Sequence, residues 1–131
     1  MISKKKYPEN PVLMIDDEQR FLHIASLILR TEGITNIIQC FDSRDVISML
    51  SKRRFSVILL DLTMPHISGF DLLPKIIKNY PDIPVIIISG EIDNQIEVKC
   101  LEIGAFDYLA KPIEKPELVA SIKGALKYSG S

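Results

Sequence analysis

The sequence predicts one α/β domain in which a doubly wound sheet of five parallel strands is covered by five helices. Short β-branched runs alternate along the chain with longer segments of helical period, which is typical of parallel strands joined by helical crossovers. Several of the runs are apolar at every position, as in strands that helices cover on both faces. The chain has 131 residues, 47% of them hydrophobic and 25% charged, which suits a single domain of this kind.

The predicted strands are short, mainly apolar runs. They cover Val12 to Ile15, Ile34 to Ile38, Val57 to Leu60, Val85 to Ile88 and Tyr108 to Ala110. The third and fourth runs contain no polar residue, which fits strands buried on both faces. Each run is followed by apolar residues at helical spacing, so we expect consecutive strands to lie parallel.

The first two helices are predicted from apolar stripes and from signals at their ends. The stripe of the first helix contains Phe21, Leu22, Ala25, Ile28 and Leu29. Gly33 follows where a left-handed residue would close this helix. Ser43 is a predicted N-cap of the second helix, which would turn Val46, Ile47 and Leu50 inward.

The remaining helices follow the same logic. The third is patterned by Leu72, Leu73, Ile76 and Ile77, the fourth spans Asn94 to Ile103 with Ile96, Cys100 and Ile103 at helical spacing, and the fifth runs from Pro116 through Leu118, Ile122 and Leu126. Pro74 either lies close to the first turn of the third helix or removes one backbone hydrogen bond within it. We expect a folded domain over 11–127, with flexible ends at 1–10 and 128–131.

Composition excludes several function classes. The 16 basic and 17 acidic residues give a net charge of −1, which does not favour direct binding of nucleic acid. No apolar run approaches the roughly 20 residues needed to span a bilayer, and no apolar signal segment follows the lysine cluster at 4–6. We therefore expect a cytoplasmic protein without membrane contact. Cys40 and Cys100 are expected to be reduced structural residues, and His23 and His66 solvated surface residues.

The chemistry is expected outside the carboxyl ends of the strands, where open α/β sheets bind ligands. The residues that follow or end the predicted strands are Asp16, Asp17 and Glu18 after the first, Asp61 after the third, Ser89 after the fourth and Lys111 with Pro112 after the fifth. Taken singly, each is as well explained by a solvated turn or a helix cap. Their joint placement at four strand ends favours a site built from carboxylates, one hydroxyl and one cation.

Such a cluster of carboxylates needs a counter-ion. Two carboxylates at roughly 4 Å repel each other by about 4 kcal/mol at an effective dielectric constant of 20. Mg²⁺ suits this site because it takes oxygen ligands and is usually held by one or two carboxylates together with a phosphate. Asp17 and Asp61 are the expected direct ligands, with Asp16 acting directly or through water. Asp61 could then attack a phosphoryl group in line, with Lys111 and Ser89 compensating the charge.

Four motifs carry a resemblance to a known family. They are Val12-Leu13-Met14-Ile15-Asp16-Asp17-Glu18, Leu60-Asp61-Leu62-Thr63-Met64-Pro65 with Ser68-Gly69, Ile87-Ile88-Ser89-Gly90, and Gly104-Ala105-Phe106-Asp107-Tyr108-Leu109-Ala110-Lys111-Pro112. With these motifs the sequence resembles the receiver (CheY-like) domain of two-component response regulators. The resemblance covers the chain from about Pro11 to Leu126 and implies the flavodoxin-like fold of that family.

The resemblance also implies roles for individual residues. Asp61 would accept a phosphoryl group from a sensor histidine kinase or a phosphotransfer protein. The metal site for Mg²⁺ or Mn²⁺ would consist of Asp16, Asp17, Asp61 and the backbone carbonyl of Thr63. Ser89 and Tyr108 would be the switch residues, Lys111 would pair with a phosphate oxygen, and Thr63 and Glu91 would tune the rate of dephosphorylation. The bond between Lys111 and Pro112 is expected to be cis.

The output implied by the resemblance is a changed binding surface. An output domain or partner protein would bind the face formed by the fourth helix, the fifth strand and the fifth helix, and phosphorylation could promote a homodimer there. The domain would catalyse only its own phosphorylation and dephosphorylation. Two alternatives stay open: a phosphorylation-independent interaction module, and an Mg²⁺-dependent phosphatase with an aspartate nucleophile. The acidic loop after the first strand argues against a flavin site, which needs phosphate-cradling residues there.

Overall fold

The computed structural model describes residues 5–91 and 93–130, which contain a five-stranded parallel sheet with helices on both faces. The strands are β1 (Val12–Ile15), β2 (Ile37–Cys40), β3 (Val57–Asp61), β4 (Val85–Ser89) and β5 (Asp107–Ala110). The helices are α1 (Gln19–Thr31), α2 (Val46–Lys52), α3 (Gly69–Asn79), α4 (Asn94–Ile103) and α5 (Lys115–Tyr128). The predicted fold class is confirmed. Within the described ranges, no helix is long and apolar enough to cross a membrane.

The sheet order creates a crevice at one place along its carboxyl edge. The strands are ordered β2-β1-β3-β4-β5, so the chain moves to one side of β1 first and to the other side afterwards. Val12 of β1 lies opposite both Ile37 of β2 and Val57 of β3. The connections from β1 and β3 therefore leave towards opposite faces, and ligands of doubly wound sheets bind at such a point.

The core has two apolar layers, one on each face of the sheet. Alternate residues of the central strands enter the first layer with α2, α3 and α4: Leu13, Ile15, Ile58, Leu60, Val85, Ile87, Val46, Leu50, Leu72, Leu73, Ile76 and Cys100. The other strand residues enter the second layer with α1 and α5: Val12, Met14, Val57, Leu59, Ile86, Ile88, Leu22, Ala25, Leu29, Leu118, Ile122 and Ala125. Burial on both faces explains why these strands are apolar at every position.

The cap at the end of α1 explains why β2 begins three residues later in the chain than predicted. Gly33 has a φ of +79°, as predicted for a left-handed cap. The backbone N–H of Ile34 then donates to the carbonyl of Leu29 at 3.0 Å, and Ile34 is buried. Because Ile34 still belongs to the helix cap, β2 begins at Ile37 and not at Ile34, and it extends to Cys40.

The start of the second helix differs from the prediction. Ser43 is not the cap: a 3-10 turn over Ser43–Asp45, capped by the Asp42 carboxylate through the N–H of Arg44, leads into α2, and Asp45 stands at the N-cap position of α2. The Ser43 hydroxyl bonds instead to the loop after β3. Ile47 is 39% exposed and was wrongly predicted to point inward, whereas Val46 and Leu50 are buried.

Pro74 lies inside α3, six residues after the N-cap Ser68. The second alternative for this proline is therefore the observed one, because Pro74 has no N–H to continue the helical pattern at that position. The predicted inward residues Leu72, Leu73 and Ile76 are buried, and Ile77 is partly buried against the same layer. The helix thus keeps its apolar face despite the proline.

Residues at both expected tails make defined contacts. The carbonyl of Tyr7 accepts hydrogen bonds from the N–H groups of Thr35 and Asn36 at 2.7 and 2.9 Å. The side-chain amide of Asn36 donates to the carbonyls of Pro8 and Glu9. At the other end, Tyr128 belongs to α5 and its ring lies 5.6 Å from that of Phe106. Residues 1–4 and 131 of the two ends that were predicted to be flexible lie outside the described residues.

Candidate functional site

The central strands place three polar side chains in the crevice. Asp16 directly follows β1, whereas Asp61 and Ser89 are the last residues of β3 and β4. Their exposed fractions are 0%, 4% and 1%. Both β3 and β4 are one residue longer than predicted, since Asp61 pairs with Ile88 and Ser89 pairs with Ala110. The sheet itself therefore fixes the backbone of these two residues.

Lys111 brings a positive charge to the same place. Its backbone N–H donates to the carbonyl of Ser89 at 2.8 Å, and the bond to Pro112 is cis as expected. The Lys111 ammonium lies 2.8 Å from a carboxylate oxygen of Asp16 and 3.8 Å from one of Asp61. Glu18 supplies a third carboxylate oxygen at 3.3 Å. One ammonium thus faces three carboxylates.

Asp16, Asp17 and Asp61 form a compact acidic cluster. One carboxylate oxygen from each lies within 4.8 Å of the other two. Asp16 and Asp61 are buried, whereas Asp17 is exposed and lies on the solvent side. Carboxylate oxygens are the donors that hard divalent cations take, and a single lysine does not neutralise three carboxylates. The donor set therefore fits a divalent metal ion.

The surroundings change the protonation of two groups. Burial and the neighbouring Asp16 charge raise the pKa of Asp61 to about 7, against the opposing effects of Lys111 and of the Thr63 N–H. Burial lowers the pKa of Lys111, but the hydrogen bond to Asp16 and the charge of Asp61 outweigh it, so that this pKa is raised. Lys111 consequently stays charged, while Asp61 without a cation titrates near neutral pH.

The loop after β3 folds back over the end of the strand. Leu62 donates its N–H to the carbonyl of Ile88 at 3.0 Å and accepts one from Gly69 at 2.9 Å. A Cβ on Gly69 would collide with the carbonyl oxygen of Asp61, so only glycine fits this approach. Thr63 is exposed and donates its N–H to the Asp61 carboxylate at 3.4 Å.

Ser89, Glu91 and Tyr108 are connected. The Ser89 hydroxyl accepts the N–H of Glu91 at 3.1 Å, and the Tyr108 hydroxyl donates to the carbonyl of Glu91 at 3.4 Å. Tyr108 is partly buried against the first core layer. The backbone of Glu91 therefore joins the two expected switch residues.

A cleft of about 430 Å³ opens beside this connection, between the loops after β3 and β4. Its lining includes Thr63, Ser89 and Glu91, together with Phe70 and Lys99 from the two helices that follow those loops. The Lys99 ammonium lies 5.7 Å from the centre of the Phe70 ring, which links α3 to α4 at the cleft. The cleft therefore borders the crevice at Ser89.

The structure brings the predicted residues together in two groups. Asp16, Asp17, Asp61 and Lys111 form the charged group, and Ser89, Glu91 and Tyr108 form the hydrogen-bonded one. Two contacts at the site were not predicted from the sequence: the Phe21 ring lies 4.6 Å from the Lys111 ammonium, and the Ser43 hydroxyl bonds to the loop after β3. Apolar spacing predicts that Phe21 points inward, but it does not say which strand end the ring meets. His23 and His66 are exposed, as expected.

Comparison with known proteins shows which family the chain belongs to. The profile of the response regulator receiver domain family matches residues 12–123, and the chain belongs to this family. It is therefore a receiver domain of a two-component response regulator, as its motifs predicted. The response regulator protein TodT of Pseudomonas putida is 32% identical over 117 residues, which cover 88% of this chain and 51% of TodT. The chain spans about half the length of this curated relative.

Solved structures show the same fold. A response regulator receiver domain from Clostridium thermocellum superposes with a TM-score of 0.84 at 28% identity, covering 92% of this chain and 97% of that one. The BeF₃-activated receiver domain of DrrB, a Thermotoga maritima response regulator, gives a TM-score of 0.79 at 26% identity and covers 89% and 97% of the two chains. The CheY-like fold predicted from sequence is thus confirmed.

Proposed function

We propose that the domain is a phosphorylation-activated signalling switch in which Asp61 accepts a phosphoryl group from a sensor histidine kinase or a phosphotransfer protein. The observation that carries this proposal is the position of Asp61 at the end of β3. Its carboxylate lies 3.8 Å from the Lys111 ammonium and within 4.8 Å of the carboxylates of Asp16 and Asp17. Membership of the receiver family supports the same reaction.

The reaction is an in-line displacement at phosphorus. A carboxylate oxygen of Asp61 forms the new P–O bond while the P–N bond to the donor histidine breaks, and its electron pair leaves with the imidazole. With acetyl phosphate as donor, a P–O bond breaks and acetate leaves. Lys111 compensates charge on the transferred oxygens, and the Ser89 hydroxyl donates a hydrogen bond to one of them. The product is an aspartyl phosphate.

Asp16, Asp17, Asp61 and the backbone carbonyl of Thr63 are the proposed ligands of Mg²⁺ or Mn²⁺. The metal would neutralise the carboxylates and the phosphoryl oxygens, which is the main contribution of metal ions to phosphoryl transfer. The all-oxygen donor set and the exposed Asp17 support this assignment. The raised pKa of Asp61 supports it too, because a nearby cation favours the ionised carboxylate that attacks phosphorus.

Thr63 and Glu91 are the proposed rate-tuning residues for dephosphorylation. Both line the cleft beside Ser89, through which water would reach the aspartyl phosphate. Hydrolysis of that bond returns the domain to its starting state. In this proposal the domain catalyses its own phosphorylation and dephosphorylation and acts on no other substrate.

Ser89 and Tyr108 are the proposed switch residues. A phosphoryl group adds roughly −1.5 to −2 charges beside Ser89. If the Ser89 side chain rotates towards that group to donate its proton, the hydrogen bond that its oxygen now accepts from the Glu91 N–H breaks. Because Tyr108 is bonded to the carbonyl of the same Glu91, movement of this backbone also releases the tyrosine.

The proposed output surface is the face formed by α4, β5 and α5, where a partner protein or an output domain would bind. Its exposed apolar residues are Val98, Leu101, Phe106 and Tyr128. Both Tyr108 and the loop before α4 border this face, so changes at Ser89 can reach it. Phosphorylation-promoted homodimerisation on this face predicts a larger sedimentation mass with a phosphoryl mimic than without it. As a partner of sensor kinases the domain would act in the cytoplasm, without direct contact with nucleic acid or membrane.

Beryllofluoride tests this function because it imitates a phosphoryl group on aspartate. We expect Mg²⁺ and beryllofluoride together to shift the backbone amide resonances of Ser89, Glu91 and Tyr108. Asp61→Asn should abolish these shifts, whereas Asp82→Asn, which changes an exposed aspartate, should leave them intact. Shifts of equal size in the Asp61→Asn protein would contradict the assignment. A folded wild-type protein without shifts would favour the phosphorylation-independent module.

A further inference from the structure

We propose that Ser43 is a positioning residue for the loop that follows Asp61 and that it holds this loop from the turn after β2. This inference rests on the proposed function, because the loop carries the proposed ligand Thr63. Ser43 is 2% exposed. Its hydroxyl donates to the carbonyl of Pro65 at 2.8 Å and accepts the N–H of Ile67 at 3.1 Å. A single hydroxyl thus binds both sides of His66.

The backbone at His66 explains why the loop needs such a contact. His66 has a φ of +72°, which L side chains rarely adopt. The N–H of Ile67 also donates to the carbonyl of Pro65 at 3.0 Å, which closes a three-residue turn around His66. Turns of this kind with positive φ are rare and strained, and they persist only where the surroundings hold them. The Ser43 hydroxyl bonds to the two groups that close this turn.

The turn that carries Ser43 has hydrogen bonds of its own. Asp42 caps the short turn by accepting the N–H of Arg44 at 2.9 Å, and its carboxylate also pairs with the Arg44 guanidinium at 2.7 Å. Just before this turn, the carbonyl of Cys40 accepts the N–H of Asp16 at 3.1 Å. The Ser43 hydroxyl is therefore anchored, through the end of β2, to the backbone of one proposed metal ligand.

The two hydrogen bonds of the Ser43 hydroxyl, to Pro65 and to Ile67, form a clamp on the loop after β3. This clamp connects the two halves of the proposed metal site. Asp16 and Asp17 follow β1, whereas Asp61 and Thr63 come from β3 and its loop. Among residues 5–91 and 93–130, Ser43 is the only one outside 61–71 whose side chain hydrogen-bonds to the loop 62–67. Removal of its hydroxyl should let residues 63–67 move relative to Asp16. The Thr63 carbonyl would then be presented less precisely to a metal ion.

The test compares Ser43→Ala with a matched variant at the other end of the sheet. Ser56→Ala is the control, because Ser56 is also a buried serine whose hydroxyl donates to a proline carbonyl, that of Pro11 at 3.3 Å. Two quantities are measured for each folded variant: hydrogen exchange of the Ile67 amide without metal, and the Mg²⁺ dissociation constant from amide shifts. Ser43→Thr, which keeps the hydroxyl, serves as the rescue variant.

We expect Ser43→Ala to speed exchange at Ile67 and to weaken Mg²⁺ binding about tenfold, the lower end of the range for residues that orient metal ligands. Ser56→Ala and Ser43→Thr should leave both quantities close to wild type. Wild-type exchange and affinity in Ser43→Ala, or equal losses in Ser43→Ala and Ser56→Ala, would overturn the inference. A wild-type protein that binds no Mg²⁺ would instead overturn the proposed metal site, and with it the role of the clamp.

Discussion

The two ends of the sheet differ in the kind of polar group that they bury: neutral, hydrogen-bonded groups at the amino end and charged carboxylates at the carboxyl end. At the amino end, the hydroxyl and N–H of Ser56 both donate to the carbonyl of Pro11, and Ile58 donates its N–H to the carbonyl of Pro84. At the carboxyl end, the buried groups include the carboxylates of Asp16 and Asp61, which share one lysine. Neutral paired groups are inexpensive to bury, whereas like charges are costly. The fold therefore concentrates its unfavourable electrostatics at the end where the chemistry is proposed.

The largest expected effect comes from backbone packing at the carboxyl end. Gly69→Ala should lower the free energy of unfolding by about 3 kcal/mol, the upper part of the range for inserting a methyl group into a packed site. The reason is the collision of the new Cβ with the Asp61 carbonyl, which can be relieved only by moving the backbone. Denaturant unfolding measures this loss.

Gly124→Ala is the matched control for Gly69→Ala. A Cβ on Gly124, which lies within α5, would meet the Phe106 ring at 3.7 Å, an ordinary contact. The better helix propensity of alanine should raise the free energy of unfolding by about 0.5 to 1 kcal/mol. If both substitutions had the same effect, the tight approach of the loop to Asp61 would not contribute to stability.

The next effect concerns the buried charge of Asp61 without divalent metal. Its pKa is about 7 in the folded protein, against an ordinary value of 3.8. Between these values the folded state binds more protons than the unfolded state, so stability should fall as the pH rises towards 7 and then level off. Asp61→Asn should remove this loss and be more stable than wild type by about 2 kcal/mol at pH 8. This value is roughly half of the free energy that corresponds to the whole pKa shift of Asp61, because water at the sheet edge screens the charge.

Denaturant unfolding between pH 5 and 8 in a chelator, with wild type and Asp61→Asn side by side, measures this difference. Other groups titrate in both proteins, so only the difference between the two curves reports on Asp61. A difference that does not grow with pH would mean that Asp61 is not destabilised by burial and by Asp16. The comparison between the two sheet ends would then lose its main electrostatic argument.

A smaller effect at the same site is the stability that a bound metal ion restores. A dissociation constant of about 1 mM would let 10 mM Mg²⁺ raise the free energy of unfolding by about 1.4 kcal/mol. Asp17→Asn should remove most of this gain without impairing folding, because Asp17 is exposed and leaves the buried groups in place. Thermal unfolding of both proteins with Mg²⁺ and with chelator tests this expectation. An equal gain in the Asp17→Asn protein would exclude Asp17 as a ligand.

The sequence predicted β1, β3 and β4 and the residues at their ends well, and the reasons are local. Continuous apolar runs mark β1, β3 and β4, and the residue after such a run in a parallel sheet must lie at the carboxyl edge. Asp16, Asp61 and Ser89 were located by this rule alone. The strands could therefore be combined into a site without knowledge of any side-chain contact.

Several contacts that the sequence did not predict join residues that are distant in sequence. Ser43 has the residue type of an N-cap, but its hydroxyl bonds to a loop 22 residues away. The carbonyl of Tyr7 accepts hydrogen bonds from Thr35 and Asn36, which lie 28 and 29 residues further along the chain. The preferences of single residues and the local periodicity of the sequence do not predict hydrogen bonds between residues so far apart in the chain. The connection from Ser89 through Glu91 to Tyr108 likewise requires the positions of β4 and β5 together.

Intact mass after incubation with acetyl phosphate tests the central claim most directly. The wild-type protein should gain the mass of one phosphoryl group when Mg²⁺ is present and none when a chelator replaces it. Asp61→Asn should gain none in either condition. An adduct on Asp61→Asn, or the absence of any adduct on a folded wild-type protein that binds Mg²⁺, would contradict the assignment of Asp61 as the phosphoacceptor.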